Sequence, residues 1–153
     1  MPVKKLRDYL DRNGVKYVTI RHSPAYTSQE IAASAHVKGQ NLAKTVIVKI
    51  DESMAMAVLP ARYRVDIDCL TEAASARTVA LATETEFVEM FPACEAGAMP
   101  PFGNLYDMKV YVDTTLTRDL VIAFNAGSHC ELIQLDYSDF RRLVEPVVLS
   151  FSR

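Results

Sequence analysis

The sequence predicts a mixed α/β (α+β) fold: a mixed β-sheet curled into a partial barrel and surrounded by short helices. Three observations point there. Many short apolar runs of strand character interleave with short helical segments, and their order does not repeat as regular βαβ units. No Gly/Ser linker, repeat or composition shift divides the 153 residues, so a single domain over residues 1–153 is expected. Half the residues are hydrophobic and 24% are charged, and a chain of about 150 residues can bury roughly two-thirds of its surface.

The elements follow in order. Val3, Leu6 and Leu10 recur at helical spacing, and Asn13-Gly14 supplies a stop, so an amphipathic helix opens the chain. Residues 16–21 read as a strand broken at Ser23-Pro24. Thr27-Ser28-Gln29-Glu30 has capping-box spacing and predicts a helix through Ala35, with a stop near Gly39. Residues 42–50 and 54–59 read as strands paired across Asp51-Glu52-Ser53. A helix is expected over 66–76, then a short strand at 79–81. Thr83 to Glu86 is a second capping box, whose helix must stop before Pro92. A Gly/Pro-rich loop covers 92–104. Strands near 109–113, 120–125 and 131–135, a helix over 138–144 and a last strand at 147–151 complete the chain.

Composition excludes several classes. The longest apolar stretch, Met54 to Leu59, is far below the roughly 18 residues that span a bilayer, and no apolar stretch follows the basic residues of the first ten. No membrane association is expected. Cys69, Cys94 and Cys130 are sparse and odd in number, which favours a reducing cytoplasm over a disulfide framework. The net charge of −2 hides an asymmetry. Residues 1–64 hold 11 Lys/Arg against 5 Asp/Glu, a net of +6, and residues 65–153 carry −8. The basic part is either an electrostatic footprint for phosphates or a set of solvated helix faces.

Walker, GxGxxG, HExxH, GxSxG and CxxC signatures are all missing. His129 and Cys130 are adjacent, so on a strand they point to opposite faces and do not chelate together. Three features remain. Lys44 starts a row with Val46, Val48 and Ile50, the more apolar face of its strand, opposite Ala43, Thr45, Ile47 and Lys49. A lysine there either pairs at the surface or sits at a cavity mouth, where its three donors need an anion or a carbonyl. The loop Gly97-Ala98-Met99-Pro100-Pro101-Phe102-Gly103 is stiff with permissive ends, fit for presenting backbone groups to a ligand or for a plain crossover. Gly127-Ser128-His129 puts an imidazole at a strand end, as ligand contact or as a satisfied structural histidine. His22 shares that ambiguity, and nothing is assigned to His36.

Taken in order, His22-Ser23-Pro24, Thr27 to Glu30, Ala43-Lys44-Thr45, Gly97 to Pro101 and Gly127-Ser128-His129 resemble the YbaK/EbsC family. These are free-standing aminoacyl-tRNA deacylases related to the editing insertion domain of bacterial prolyl-tRNA synthetase. The resemblance runs from about Leu6 to Phe151 and implies the partial-barrel fold already expected. It implies trans-editing: hydrolysis of the ester joining a wrong amino acid to the 3′ end of a mischarged tRNA, tRNA-Pro or another carrying a small amino acid. Lys44, Gly97 and His129 take the catalytic positions. His22, Tyr26, Thr27, Thr45, Met99, Pro100, Pro101, Phe102, Gly103, Gly127 and Ser128 take substrate-binding ones, with Tyr26, Val46, Met99 and Phe102 as pocket walls. Thr45 replaces the Asn that follows the lysine in some alanine-specific members. Such hydrolysis needs a placed water and a stabilised oxyanion, with the substrate's ribose 2′-OH assisting, so no metal and no cofactor are expected. The partners implied are the acceptor end of a mischarged tRNA and, transiently, an aminoacyl-tRNA synthetase. A small-molecule esterase and a non-catalytic module binding aminoacyl-tRNA or a nucleotide are the alternatives.

Overall fold

A computed structural model describes residues 3–22 and 41–153. The predicted break at Ser23-Pro24, the capping box at Thr27 and its helix lie outside the described residues, as do Tyr26 and His36.

Helix α1 (Lys4–Arg12) buries Leu6 and Leu10 completely, as their spacing requires. Its start is tied to the far end of the chain, since the Val3 amide donates to the Ala126 carbonyl at 3.0 Å. Strand β1 (Tyr17–Arg21) follows. Strands β2 (Ala43–Ile50) and β3 (Ser53–Pro60) form the expected hairpin, antiparallel from Ala43–Pro60 to Ile50–Ser53. Asp51 and Glu52, at φ 48° and 73°, make a two-residue turn with both centres left-handed, the type that matches strand twist. No glycine supplies that turn. The Asp51 carboxylate instead accepts from the Arg77 and Thr78 amides at 2.8 and 2.9 Å, which hold it from outside.

Helix α2 (Ile67–Ala73) is capped by Asp66, whose carboxylate accepts from the Cys69 amide. After β4 (Val79–Leu81), the predicted capping box is formed in full by Thr83 and Glu86 around the one-turn helix α3 (Glu84–Phe87). Strands β5 (Lys109–Asp113), β6 (Val121–Asn125) and β7 (Glu131–Asp136), helix α4 (Tyr137–Val144) and strand β8 (Val147–Leu149) complete the order.

The described strands form two sheets. One is antiparallel, in the order β1-β7-β6; the other is mixed, β4-β2-β3-β5-β8, with β5 parallel to both neighbours. A parallel bridge between Leu42 and Ala123 joins them, so the α+β class holds and the two sheets meet as an open structure, not a closed barrel.

Strand β2 is packed on both faces. The main core lies on the Ala43 and Ile47 side, with Met56, Val58, Val112, Phe124 and Phe140. The Lys44 row, more apolar by sequence, packs on a smaller cluster with Leu70 of α2, Tyr111 and Phe151. Both faces of the five-stranded sheet are covered, so relative apolarity could not rank them.

Candidate active site

Strand β2 extends past its neighbour β4, which pairs only with Val48 to Ile50. The free end of β2 meets β6 at the Leu42–Ala123 bridge, and Lys44 stands two residues along from it. Its side chain is half-buried. Burial, and to a lesser degree the positive charge of Arg64, pull its ammonium below the ordinary lysine range. Among the described residues nothing accepts from its Nζ and no carboxylate faces it. A partly desolvated cation beside a second cation favours an incoming anion or carbonyl oxygen.

Strand β6 leads directly into Ala126-Gly127-Ser128-His129, and this segment holds the Gly97 loop. The Glu95 amide donates to the Gly127 carbonyl at 2.8 Å, and the Gly127 amide returns a bond to the Ala98 carbonyl at 2.9 Å. Gly127 sits at φ 102°, and a Cβ there would stand 2.2 Å from Val3 Cγ2, so only glycine lets α1 approach. Gly97 sits at φ 82°; His129 would lie 3.5 Å from an added Cβ, so the dihedral is the constraint and not the space.

His129 reaches back to the loop. Its Nε2 is 2.8 Å from the Ala96 carbonyl oxygen and 4.0 Å from Glu95 Oε2. A neutral imidazole therefore carries its proton on Nε2 and donates it to Ala96. In this state the histidine fastens the loop. Ser128 Oγ accepts from the Cys130 amide at 3.3 Å, and the buried His22, at the end of β1, donates its amide to the Cys130 carbonyl at 2.8 Å. Thus His22, Gly97 and the contiguous Gly127, Ser128 and His129, from three separate stretches of chain, form one neighbourhood.

The loop itself divides in two. Residues 95–97 are exposed, whereas Ala98, Met99, Pro100, Pro101, Phe102 and Gly103 are buried. Phe102 is fully enclosed against Tyr9, Phe124 and Phe140, and Met99 belongs to the same core. The expectation that these two wall an open pocket is corrected: they anchor the loop from beneath, because burying an aromatic ring in a core outweighs presenting it to solvent. Gly103 is demanded by packing, since a Cβ would lie 2.5 Å from the Met108 carbonyl and from Val110. Val46 packs on the α2 side of the sheet. Thr45 points away from Lys44, and its hydroxyl is shielded with no hydrogen-bond partner among the described residues.

Sequence reasoning missed Arg64 and Glu95. Neither has a local signal, because their neighbours Lys44 and His129 are brought to them by the fold. A separate cleft of about 730 Å³, lined in part by Asp119, Leu120, Tyr137 and Arg141, contains none of the predicted residues among those described. Among the described residues no group of three His, Cys, Asp or Glu could hold a metal ion, and no helix is long and apolar enough to cross a membrane.

Comparison with known proteins decides the family. The model of the aminoacyl-tRNA editing domain matches residues 22–143, which include all three predicted catalytic positions. The chain belongs to that family. It is accordingly a trans-editing hydrolase of aminoacyl esters on mischarged tRNA. The multifunctional Ser/Thr-tRNA deacylase ProXp-y of Escherichia coli is 25% identical over 98% of this chain and 92% of its own. The prolyl-tRNA editing protein ProX of Acetoanaerobium sticklandii is 21% identical, over 89% and 86%. In fold, the crystal structure of the hypothetical protein APE2540 superposes with a TM-score of 0.86 at 23% identity, over 98% of this chain and all of that one. That of a candidate trans-editing enzyme for prolyl-tRNA synthetase gives 0.83 at 18%, over 98% and 96%.

Proposed function

We propose that this editing hydrolase, as one domain over residues 1–153, removes a small, wrongly attached amino acid from the 3′-terminal adenosine of tRNA-Pro or of another tRNA carrying a small residue. The observation that carries the reading is Lys44: a half-buried ammonium, without an acceptor among the described residues, at the sheet junction that leads into the Gly127 to His129 segment. The names of the relatives, for Ser/Thr-tRNA deacylation and prolyl-tRNA editing, support a small side chain and a proline carrier.

In this reading Lys44 engages the phosphate or carbonyl oxygen of the aminoacyl-adenosine end. The exposed loop residues Ala96 and Gly97 keep backbone amides that donate to no backbone acceptor among the described residues. They stabilise the oxyanion formed as water adds to the ester carbonyl. The ester bond to the ribose 3′-oxygen then breaks, the proton from water reaches that oxygen, and free amino acid and tRNA leave. The ribose 2′-OH helps orient the water, and His129 holds the loop in register. The basic stretch around Lys4, Lys5, Arg7 and Arg12 favours the acceptor stem electrostatically. The reading puts this work in the cytoplasm, where tRNA is charged, with a transient synthetase contact handing over the substrate.

Single-turnover deacylation of tRNA-Pro charged with Ala, Ser, Cys or Thr tests it. Wild-type protein hydrolyses at least one of these esters, and Lys44→Ala loses about 100-fold or more, the scale of one lost electrostatic contact to the transition state. Hydrolysis unchanged in Lys44→Ala overturns the role of Lys44. Turnover of a free aminoacyl ester as fast as of charged tRNA, with no fall at higher salt, favours a small-molecule esterase, because tRNA binding releases counterions.

A further inference from the structure

The junction between the sheets holds one more polar group that the editing chemistry has not used. Leu42 and Ala123 bury together across their parallel bridge, in a small cluster with Ala61 and Leu132. Side chains alternate along strands, so two residues further on, Lys44 and Asn125 lie on that same side of the junction. Asn125 ends β6, directly before the Ala126 to His129 segment that holds the Gly97 loop. Its Oδ1 is shielded from solvent and accepts no hydrogen bond among the described residues. Buried acceptors are almost always met, so one that is not calls for a donor from outside the chain. Lys44 presents the opposite need, three donors with no acceptor among the described residues.

One face of the junction thus asks for a donor and an acceptor close together. An α-amino ester offers both on neighbouring atoms: its carbonyl oxygen accepts and its α-ammonium donates. Phosphate alone or a simple ester offers only acceptors. We propose that Asn125 is a substrate-positioning residue whose side-chain carbonyl accepts from the α-ammonium of the aminoacyl group while Lys44 engages the substrate's oxygen atoms. This rests on the editing reading and specifies how that site tells an aminoacyl ester from any other acyl ester. Asn125 also fixes which way the ester carbonyl turns, since the ammonium and carbonyl share one carbon. That orientation brings the carbonyl carbon, and not the side chain, toward the exposed amides at Ala96 and Gly97.

The test compares alanyl-tRNA with propionyl-tRNA, an ester of the same shape lacking the ammonium, in single turnover with wild type, Asn125→Leu and Asn125→Ala. Both variants are expected to lose about 10- to 100-fold in kcat/KM on alanyl-tRNA, as one hydrogen bond to a charged group predicts, and less than about twofold on propionyl-tRNA. Equal losses on the two esters, or no loss on either, overturn the assignment. If Asn125→Leu melts early, Asn125→Ala, which leaves no bulk to accommodate, carries the comparison. Wild-type protein inactive on every mischarged tRNA overturns the editing reading itself, a result distinct from an active wild type with variants that do not discriminate.

Discussion

Two charged side chains near strand ends of the same sheet have opposite surroundings. Asp113, at the end of β5, is buried, and the chain meets its every need: the amides of Phe151, Ser152 and Thr115 and the hydroxyls of Ser152 and Thr115 all donate to it. Lys44, at the start of β2, is half-buried beside Arg64 with no acceptor among the described residues. The first charge is an anchor, pinning the C-terminal residues to the sheet. The second costs stability, and in the proposed reading it is there to hold the substrate. A buried ion that is fully bonded by its own chain speaks for the fold; one left unmet speaks for a ligand.

The largest effects should separate these two residues most sharply. Lys44→Met should abolish most deacylation, by about 100-fold or more, while leaving thermal stability unchanged or raised, since an apolar group replaces a charge with no acceptor among the described residues. A clear fall in melting temperature would erase the contrast. Asp113→Asn should do the reverse, costing about 2 kcal/mol in denaturant unfolding with the activity of the remaining folded protein intact.

The same residue supplies a pH signature. Burial by itself would raise the Asp113 carboxyl, but the bonds from Phe151, Thr115 and Ser152 hold it below the usual carboxylate range. Its folded pKa lies below the unfolded value of about 3.9, so its stabilisation is present above that pH and is lost as pH falls toward the folded value. Acid melts should show that loss below about pH 4 in wild type and a flatter profile in Asp113→Asn.

Smaller effects refine the loop side of the site. Gly127→Ala forces a side chain into a left-handed dihedral and against Val3, and should cost about 1–3 kcal/mol of stability. His129→Ala removes the bond to Ala96 and should slow deacylation by about tenfold, less than the loss of Lys44, by loosening the loop. A loss as deep as that of Lys44 would make His129 a group that touches the substrate.

Much of this was legible in the sequence. Leu6 and Leu10, the capping box at Thr83 and Glu86, and the two strands either side of Asp51 were readable because helical period, caps and turns depend on residues within a few positions of each other. The ordered motifs around Lys44, Gly97 and His129 likewise carry the family resemblance in the sequence itself. Phe102 was misread as a pocket wall because a Gly/Pro loop looks exposed, and nothing local says that its aromatic ring turns under α1 and α4. The apolar Lys44 face of β2 was legible too, but not what covers it: α2, some twenty residues on.

By itself, then, the chain's order of residues determined the element types, the mixed fold class and the chemistry available: one lysine, one glycine loop and one histidine, all short-range or compositional facts. Only the tertiary structure decided which of them are met and which are left wanting. Hydrogen-bond satisfaction is settled between residues far apart in sequence, such as Asp113 with Phe151 and Ser152, or His129 with Ala96. Lys44 and Asn125, without partners among the described residues, come to the same junction only because the two sheets meet at the Leu42–Ala123 bridge.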